Sequence, residues 1–192
     1  MSRDTQFDGE DEYWKALRMG DNTAFEHIYR SQVQTLHRFG LSINPNEELV
    51  SDAIHDVFID IWEKREKISP TNNVKFYLLK SLKNRIIRRT SNELRRDTLH
   101  HNWQDLTSAD SLEDLEFEPN TEQALNRYLN ELSDRQKEII RLRFYEDLSH
   151  NQIAELLNMN KQSTKNLLHR AIETLRKKFD YNLIVCFLIH YF

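Results

Sequence analysis

From position 21 onward, apolar residues recur at steps of three and four, the period of a helix that buries one face. Asp21 or Asn22 can cap a first helix whose stripe is Phe25, Ile28, Tyr29, Val33 and Leu36. The run LSINPN around Pro45 ends it. A second helix carries Ile54, Val57, Phe58, Ile61 and Trp62 on one face, with Asp52, Asp56, Asp60, Glu63 and Lys64 outside that stripe. After the break ISPTNN at 68–73, a third helix runs from Val74 to near Thr90. Leu78, Leu79, Leu82 and Ile86 face inward, and Lys80, Lys83, Arg85, Arg88 and Arg89 cover the remainder. Residues 1–12 are acidic and aperiodic, and the expectation is a disordered arm over 1–14.

The C-terminal half has shorter helices with clearer start signals. Leu125, Tyr128, Leu129 and Leu132 share one helical face. Ser133 and Gln136, and again Ser149 and Gln152, have the Ser-x-x-Gln spacing in which two side chains reciprocally satisfy orphan helix amides. The first box starts a helix with Ile139, Ile140, Leu142 and Phe144, the second a helix with Ile153, Ala154, Leu156 and Leu157. Asn158-Met-Asn160 interrupts the pattern, and Lys161 to Lys178 restarts it with Leu167, Leu168, Ile172 and Leu175. Two helices joined by a few residues are the helix-turn-helix unit, whose second helix lies in the major groove. Ala154 is small where the helices approach, Asn158 tolerates a left-handed turn, and Asn160 can cap. Gln162, Ser163, Lys165, Asn166, His169 and Arg170 occupy exposed positions around Leu168 and Ile172, with side chains that reach phosphates and base edges. The same pattern also suits an ordinary helical hairpin with a polar outer face.

Composition narrows the class. Three Gly and three Pro in 192 residues are about a quarter of the usual share, which disfavours turn-rich sheets and leaves an all-α protein. Cys186 is the single cysteine, so no internal disulfide forms, and no Cys/His set has zinc spacing. With no apolar signal core at the N-terminus, the expected location is cytoplasmic.

A net charge of −4 argues against a nucleic-acid partner until the chain is divided. Lys75 to Arg96 holds eight basic residues against Glu93, and Arg135 to Lys178 holds ten against five acids. Between them, Asp105 to Glu122 has seven acidic residues and no basic ones. Distant acids are screened beyond a Debye length of about 8 Å in physiological salt, so the two basic segments act locally on phosphates. The organisation expected is two small helical domains, 15–95 and 121–178, joined by an acidic flexible linker over 96–120 and followed by an apolar tail over 179–192.

The string Leu132 to Arg176 closely resembles region 4 of the bacterial sigma-70 superfamily, in particular its extracytoplasmic-function (ECF) group, at Leu132, Ser133, Arg135, Leu148, Ser149, Ile153, Ala154, Leu156, Thr164-Lys165 and Leu168-His-Arg-Ala171. LuxR-type output domains look similar here, and the N-terminal half separates the two. Ala24 to Tyr29, Asp52 to Trp62 and Val74 to Arg85 resemble sigma region 2 in order and spacing. The resemblance covers about residues 15–95 and 121–178. It implies an alternative sigma factor, which binds core RNA polymerase, recognises promoter DNA and promotes its opening. The alternative reading is a stand-alone helix-turn-helix regulator.

The resemblance distributes roles by position. The Asp52 to Arg65 helix would dock on core polymerase through Asp56, Asp60, Trp62 and Arg65, although Trp62 equally suits the core. His55-Asp56 stands where the family commonly has Gln-Glu. The loop at 67–73 would capture a base extruded from the −10 element with Ser69, Thr71, Asn72 and Asn73, and Lys80, Lys83, Asn84 and Arg88 would supply the cationic surround. Phe76 or Tyr77 could stack on bases or anchor the helix. Gln162, Ser163, Thr164, Lys165, Asn166, His169 and Arg170 would meet the −35 element, Lys165 and Arg170 on phosphates. Leu167 replaces the family's usual basic residue, which removes one DNA contact.

The linker could thread a nucleic-acid channel or simply be solvated. No P-loop, His-Glu-x-x-His or paired nucleophile and base is present, so the chain is expected not to be an enzyme and to need no metal or cofactor. An anti-sigma factor is an expected partner. The terminal YNLIVCFLIHYF has ten apolar residues of twelve. As a helix it would span roughly 18 Å, too short for a bilayer core of roughly 30 Å, so stable membrane insertion is not expected. It could pack on the C-terminal domain or serve as a docking strip.

Overall fold

The computed structural model describes residues 9–96 and 132–176, and all regular structure there is helical. The elements are α1 (Glu10–Arg18), α2 (Asn22–Ile43), α3 (Glu47–Glu63), α4 (Val74–Arg96), α5 (Asp134–Ile140), a π-helical turn (Arg141–Tyr145), α6 (His150–Leu156) and α7 (Lys161–Arg176). The chain divides into two units, Met1–Thr107 and Ser108–Phe192. The linker beyond Arg96, the stripe Leu125–Leu129 and the apolar tail lie outside the described residues. Among the described residues no helix is long and apolar enough to cross a membrane.

In the first unit, α2, α3 and α4 pack with α1 laid against α2 and touching α4. The arm expected over 1–14 is corrected at its end, since α1 begins at Glu10. Its first turn is acidic (Glu10, Asp11, Glu12) and its last turn basic (Lys15, Arg18), which suits the helix dipole. Trp14 is 1% exposed and Leu17 fully buried. An acidic, short helix has little intrinsic stability, and this one is held by the burial of those two side chains. Gly20 turns the chain at φ 89°, and Asp21 caps α2 by accepting from the amides of Thr23 (2.8 Å) and Ala24 (3.1 Å). Gly40 lets α2 and α3 approach closely: a Cβ there would lie 2.5 Å from Val50 Cγ1.

The buried face of α2 is Ala24, Ile28, Gln32, Thr35, Leu36 and Phe39. The expected stripe is therefore rotated. Phe25 and Val33 are half-buried and Tyr29 is 37% exposed. Asn46 caps α3 through the Leu49 amide (3.0 Å), and Asn73 caps α4 through the Phe76 amide (2.8 Å).

In the second unit both Ser-x-x-Gln boxes form, with Ser133 and Ser149 as N-caps. The helix begun by the first box does not continue as an α-helix. Its Arg141–Tyr145 turn is π-helical, and the Glu146 amide donates five residues back to the Arg141 carbonyl (3.1 Å). One extra residue per turn rotates everything beyond it by about a helical step. Phe144, expected inward, is consequently 43% exposed, while Ile139, Ile140 and Leu142 remain buried. Arg141 is buried with its guanidinium forked onto Glu138 at 2.7 and 3.2 Å. Between α6 and α7, Asn158 adopts φ 51° and Asn160 Oδ1 accepts from the Ser163 amide at 2.7 Å.

Candidate nucleic-acid interfaces

The break between α3 and α4 is an organised loop. Ile68 is buried and anchors its start. The Ser69 carbonyl accepts a hydrogen bond from the Trp14 indole Nε1 at 3.2 Å. At the other end, Thr71 Oγ1 donates to the Asn73 carbonyl (3.2 Å) and accepts from the Asn73 amide (3.1 Å). With Asn73 Oδ1 capping α4, the Thr71 and Asn73 side chains shape the loop. Ser69, Pro70 and Asn72 are exposed, so Ser69 and Asn72 are the loop residues presented outward. Tyr77 packs against Trp14, ring centroids 5.1 Å apart, which fits the anchoring role rather than a free stacking platform.

The cations of α4 separate into two sets. Lys80, Asn84 and Arg88 are exposed, whereas Lys83 is only 9% exposed; its expected place in an open cationic surface is corrected by that burial. Arg85 and Arg89 turn toward α3. Arg89 bridges Asp52 (3.0 Å) and Asp56 (2.5 Å), and Arg85 pairs with Asp60 and lies 3.8 Å from Asp56. Carboxylates spaced every fourth residue on α3 thus meet arginines spaced by four on α4. The hydrogen bond from Lys64, and then the charge of Arg85, hold the Asp60 carboxyl below its ordinary range despite partial burial. Asp56, and after it Asp52, raise the Arg89 guanidinium above its ordinary value despite partial burial. A cleft of about 250 Å³ opens beside this ladder, bounded by Ile68, Tyr77, Asn84 and Arg88.

The four residues expected at the polymerase surface are not on one face. Asp56 and Asp60 are half-buried and engaged with α4, a correction to the open acidic face expected for α3. Trp62 lies on the opposite flank, lining a groove of about 520 Å³ with Phe25, Tyr29, Phe58 and Ile59. Arg65 sits 4.7 Å over the Trp62 ring and donates to the Trp62 carbonyl at 2.7 Å. The α2 half of this aromatic groove is not legible from periodicity, because Phe25 and Tyr29 fall on the same three- and four-residue steps as the core residue Ile28. Trp14 was missed as well; its three-residue spacing to Leu17 was the available signal.

On α7, Gln162, Lys165, Asn166, His169 and Arg170 are exposed and Ser163 is half-buried. Gln162 Nε2 donates to Asn166 Oδ1 at 3.0 Å, which fixes two amide side chains side by side, and His169 Nδ1 lies 3.6 Å from Glu173. Thr164 is corrected: it is 0% exposed and its hydroxyl donates to the Asn160 carbonyl at 3.0 Å. A side chain sealed in the turn has no atom to offer DNA. Burial, then the charges of Arg143, Lys165 and Lys161, lowers the His150 imidazole below its ordinary value, so His150 adds little to the positive charge that Lys161 and Lys165 bring to the start of α7.

Two family models match the chain in order, "Sigma-70 region 2" over residues 28–96 and "Sigma-70, region 4" over 128–177. The chain belongs to the sigma-70 family. This sigma factor is 19% identical over 155 residues to the ECF RNA polymerase sigma factor SigM of Bacillus subtilis (strain 168), covering 81% of the present chain and 94% of SigM, and it is a member of the same ECF group. Its fold is similar to that of sigma factor RpoE from Bartonella quintana, solved with the anti-sigma factor NepR, at TM-score 0.50 and 20% identity over 80% of this chain and 94% of that one. It is also similar to CnrH, solved with the cytosolic domain of CnrY, at TM-score 0.51 and 18% identity over 88% and 95%. Region 2 is thus the α1–α4 unit's main part, and α6–α7 is the helix-turn-helix of region 4.

Proposed function

We propose that this alternative sigma factor directs core RNA polymerase to a limited set of promoters, with the region 2 unit (10–96) opening the −10 element and region 4 (121–178) reading the −35 element. The single observation that carries the reading is the presence of both sigma regions, in order, on one chain. Ser69 and Asn72 receive the extruded base, in a loop shaped by Thr71 and Asn73. Lys80, Asn84 and Arg88 line the strand's path. Gln162, Ser163, Asn166 and His169 face the major groove, with Lys165 and Arg170 on phosphates. Core polymerase docks on the Trp62 groove with Arg65 at its edge, and Asp56 and Asp60 contribute by holding α3 against α4. The factor performs no reaction of its own and acts in the cytoplasm. RpoE and CnrH were each solved with a partner, in the first case an anti-sigma factor, which supports regulation by an anti-sigma protein here. Run-off transcription with purified core polymerase across the host's upstream regions tests the proposal: discrete promoter-dependent transcripts are expected, and a folded protein that yields none refutes it.

A further inference from the structure

We infer that Trp14 is a positioning residue for base recognition: through its indole it fixes the peptide plane at the head of the 69–73 loop. The inference rests on that loop being the base-receiving element. Helix α1 precedes the residues matched by the region 2 model, yet it is firmly seated. Leu17 is fully buried, Gln32 Nε2 donates to Glu10 Oε1 at 2.6 Å, and the rings of Tyr13 and His27 stack at 3.7 Å. From this platform the buried indole reaches 55 positions along the chain to the Ser69 carbonyl.

The acceptor's place in the sequence gives the contact its consequence. Ser69 precedes Pro70, so the Ser69–Pro70 peptide has no N–H, and its only polar handle is the carbonyl that Trp14 holds. Pro70 confines its own φ and pushes Ser69 toward extended conformations. Indole and proline together leave that plane little freedom. The far end is closed by Thr71, Asn73 and the Phe76 amide. Ser69 and Asn72 are therefore displayed from a loop tied at both ends, and an extruded base binds without first ordering it. Releasing the Trp14 tie transfers that ordering to the binding step and weakens base capture.

The test uses full-length protein assembled with core polymerase and two single-stranded −10 oligonucleotides, one matched and one abasic at the extruded position, read by fluorescence anisotropy. Trp14→Phe retains an aromatic fill and loses the donor. It is expected to bind the matched strand about fivefold more weakly, the factor set by one hydrogen bond of typical net worth, with little change on the abasic strand. Pro70→Ala, an exposed position that leaves the core intact, is expected to compress the matched-to-abasic ratio as well. Ile28→Val, which destabilises α2 without touching the tie, should keep the ratio. An unchanged ratio in Trp14→Phe overturns the inference whatever Pro70→Ala does, as does equal compression by Ile28→Val. Asn72→Ala separates the two levels. If it collapses the ratio while Trp14→Phe and Pro70→Ala do not, only the tether fails; if it too has no effect, the loop's base-reading role fails with it.

Discussion

Arg88 and Arg89 are neighbours in sequence, and the structure predicts opposite consequences for replacing them with alanine. Arg89 is held by Asp52 and Asp56 at 3.0 and 2.5 Å, with about a third of its side chain exposed. Two unit charges about 4 Å apart attract by roughly 1 kcal/mol in water and about 4 kcal/mol at an effective dielectric of 20. Desolvation and side-chain entropy offset most of this, and exposed pairs retain about 0.2–1 kcal/mol each. Asp52 is 64% exposed and contributes little, so the pairing through Asp56 dominates and Arg89→Ala should cost about 1 kcal/mol. For a unit of this size that lowers Tm by about 4–8 °C, and the difference should shrink toward zero in 1 M salt, where the Debye length is about 3 Å. Because its charge is already matched by carboxylates, Arg89 should leave the salt slope of −10 strand binding unchanged. Arg88→Ala should do the reverse, shifting Tm little and reducing the slope by about 0.7, one phosphate contact on single-stranded DNA. Anisotropy titrations of the reconstituted holoenzyme from 50 to 300 mM salt, beside thermal melts of each variant, measure both. If Arg89→Ala flattens the slope as Arg88→Ala does, the ladder opens on DNA and the division of α4 into structural and DNA-facing cations is wrong.

On α7, Thr164→Val should destabilise region 4 by about 1 kcal/mol through the lost bond to Asn160 without altering −35 sequence preference, whereas Lys165→Ala should flatten the salt slope on duplex by about 0.9 with no change in Tm; competition binding and melts distinguish them. Gly40→Ala should cost about 1–3 kcal/mol, because Val50 occupies the space a Cβ requires, and an unshifted denaturant midpoint would show that α2 and α3 have room to part. His150 binds its proton less readily in the folded state than in the unfolded state. Region 4 should therefore hold its stability above pH 6.5 and lose it as pH falls from there through the lowered folded value, and His150→Gln should remove that dependence in melts between pH 7.5 and 5.

Much of the site was legible because it is local. Capping boxes, the left-handed Asn158, and the alternation of apolar and cationic positions on α4 and α7 all depend on residues within a turn or two of each other. Thr164 was misplaced although its partner, Asn160, is also local. The family resemblance groups it with the DNA-facing residues, whereas its spacing of four from Leu168 puts it on the buried face, where its hydroxyl bonds back into the turn. Phe144 was misplaced because a π-turn alters the period itself, and period-based reading assumes a constant one.

The sequence by itself determined that the chain is helical, where most helices start and stop, that positive charge falls on two separated modules, and that the second holds two short helices joined by a tight turn. These follow from backbone propensity, capping and a period of 3.6, none of which requires knowing what lies opposite. Tertiary structure alone decided which cations are neutralised, which aromatic residues form the core and which a groove, and that α1 belongs to the domain. Arg89 meets Asp56 across 33 positions, and Trp14 meets Ser69 across 55. A helix pattern states which side chains share a face, but only packing assigns that face a neighbour, and the neighbour fixes burial, charge state and the directions left open to DNA.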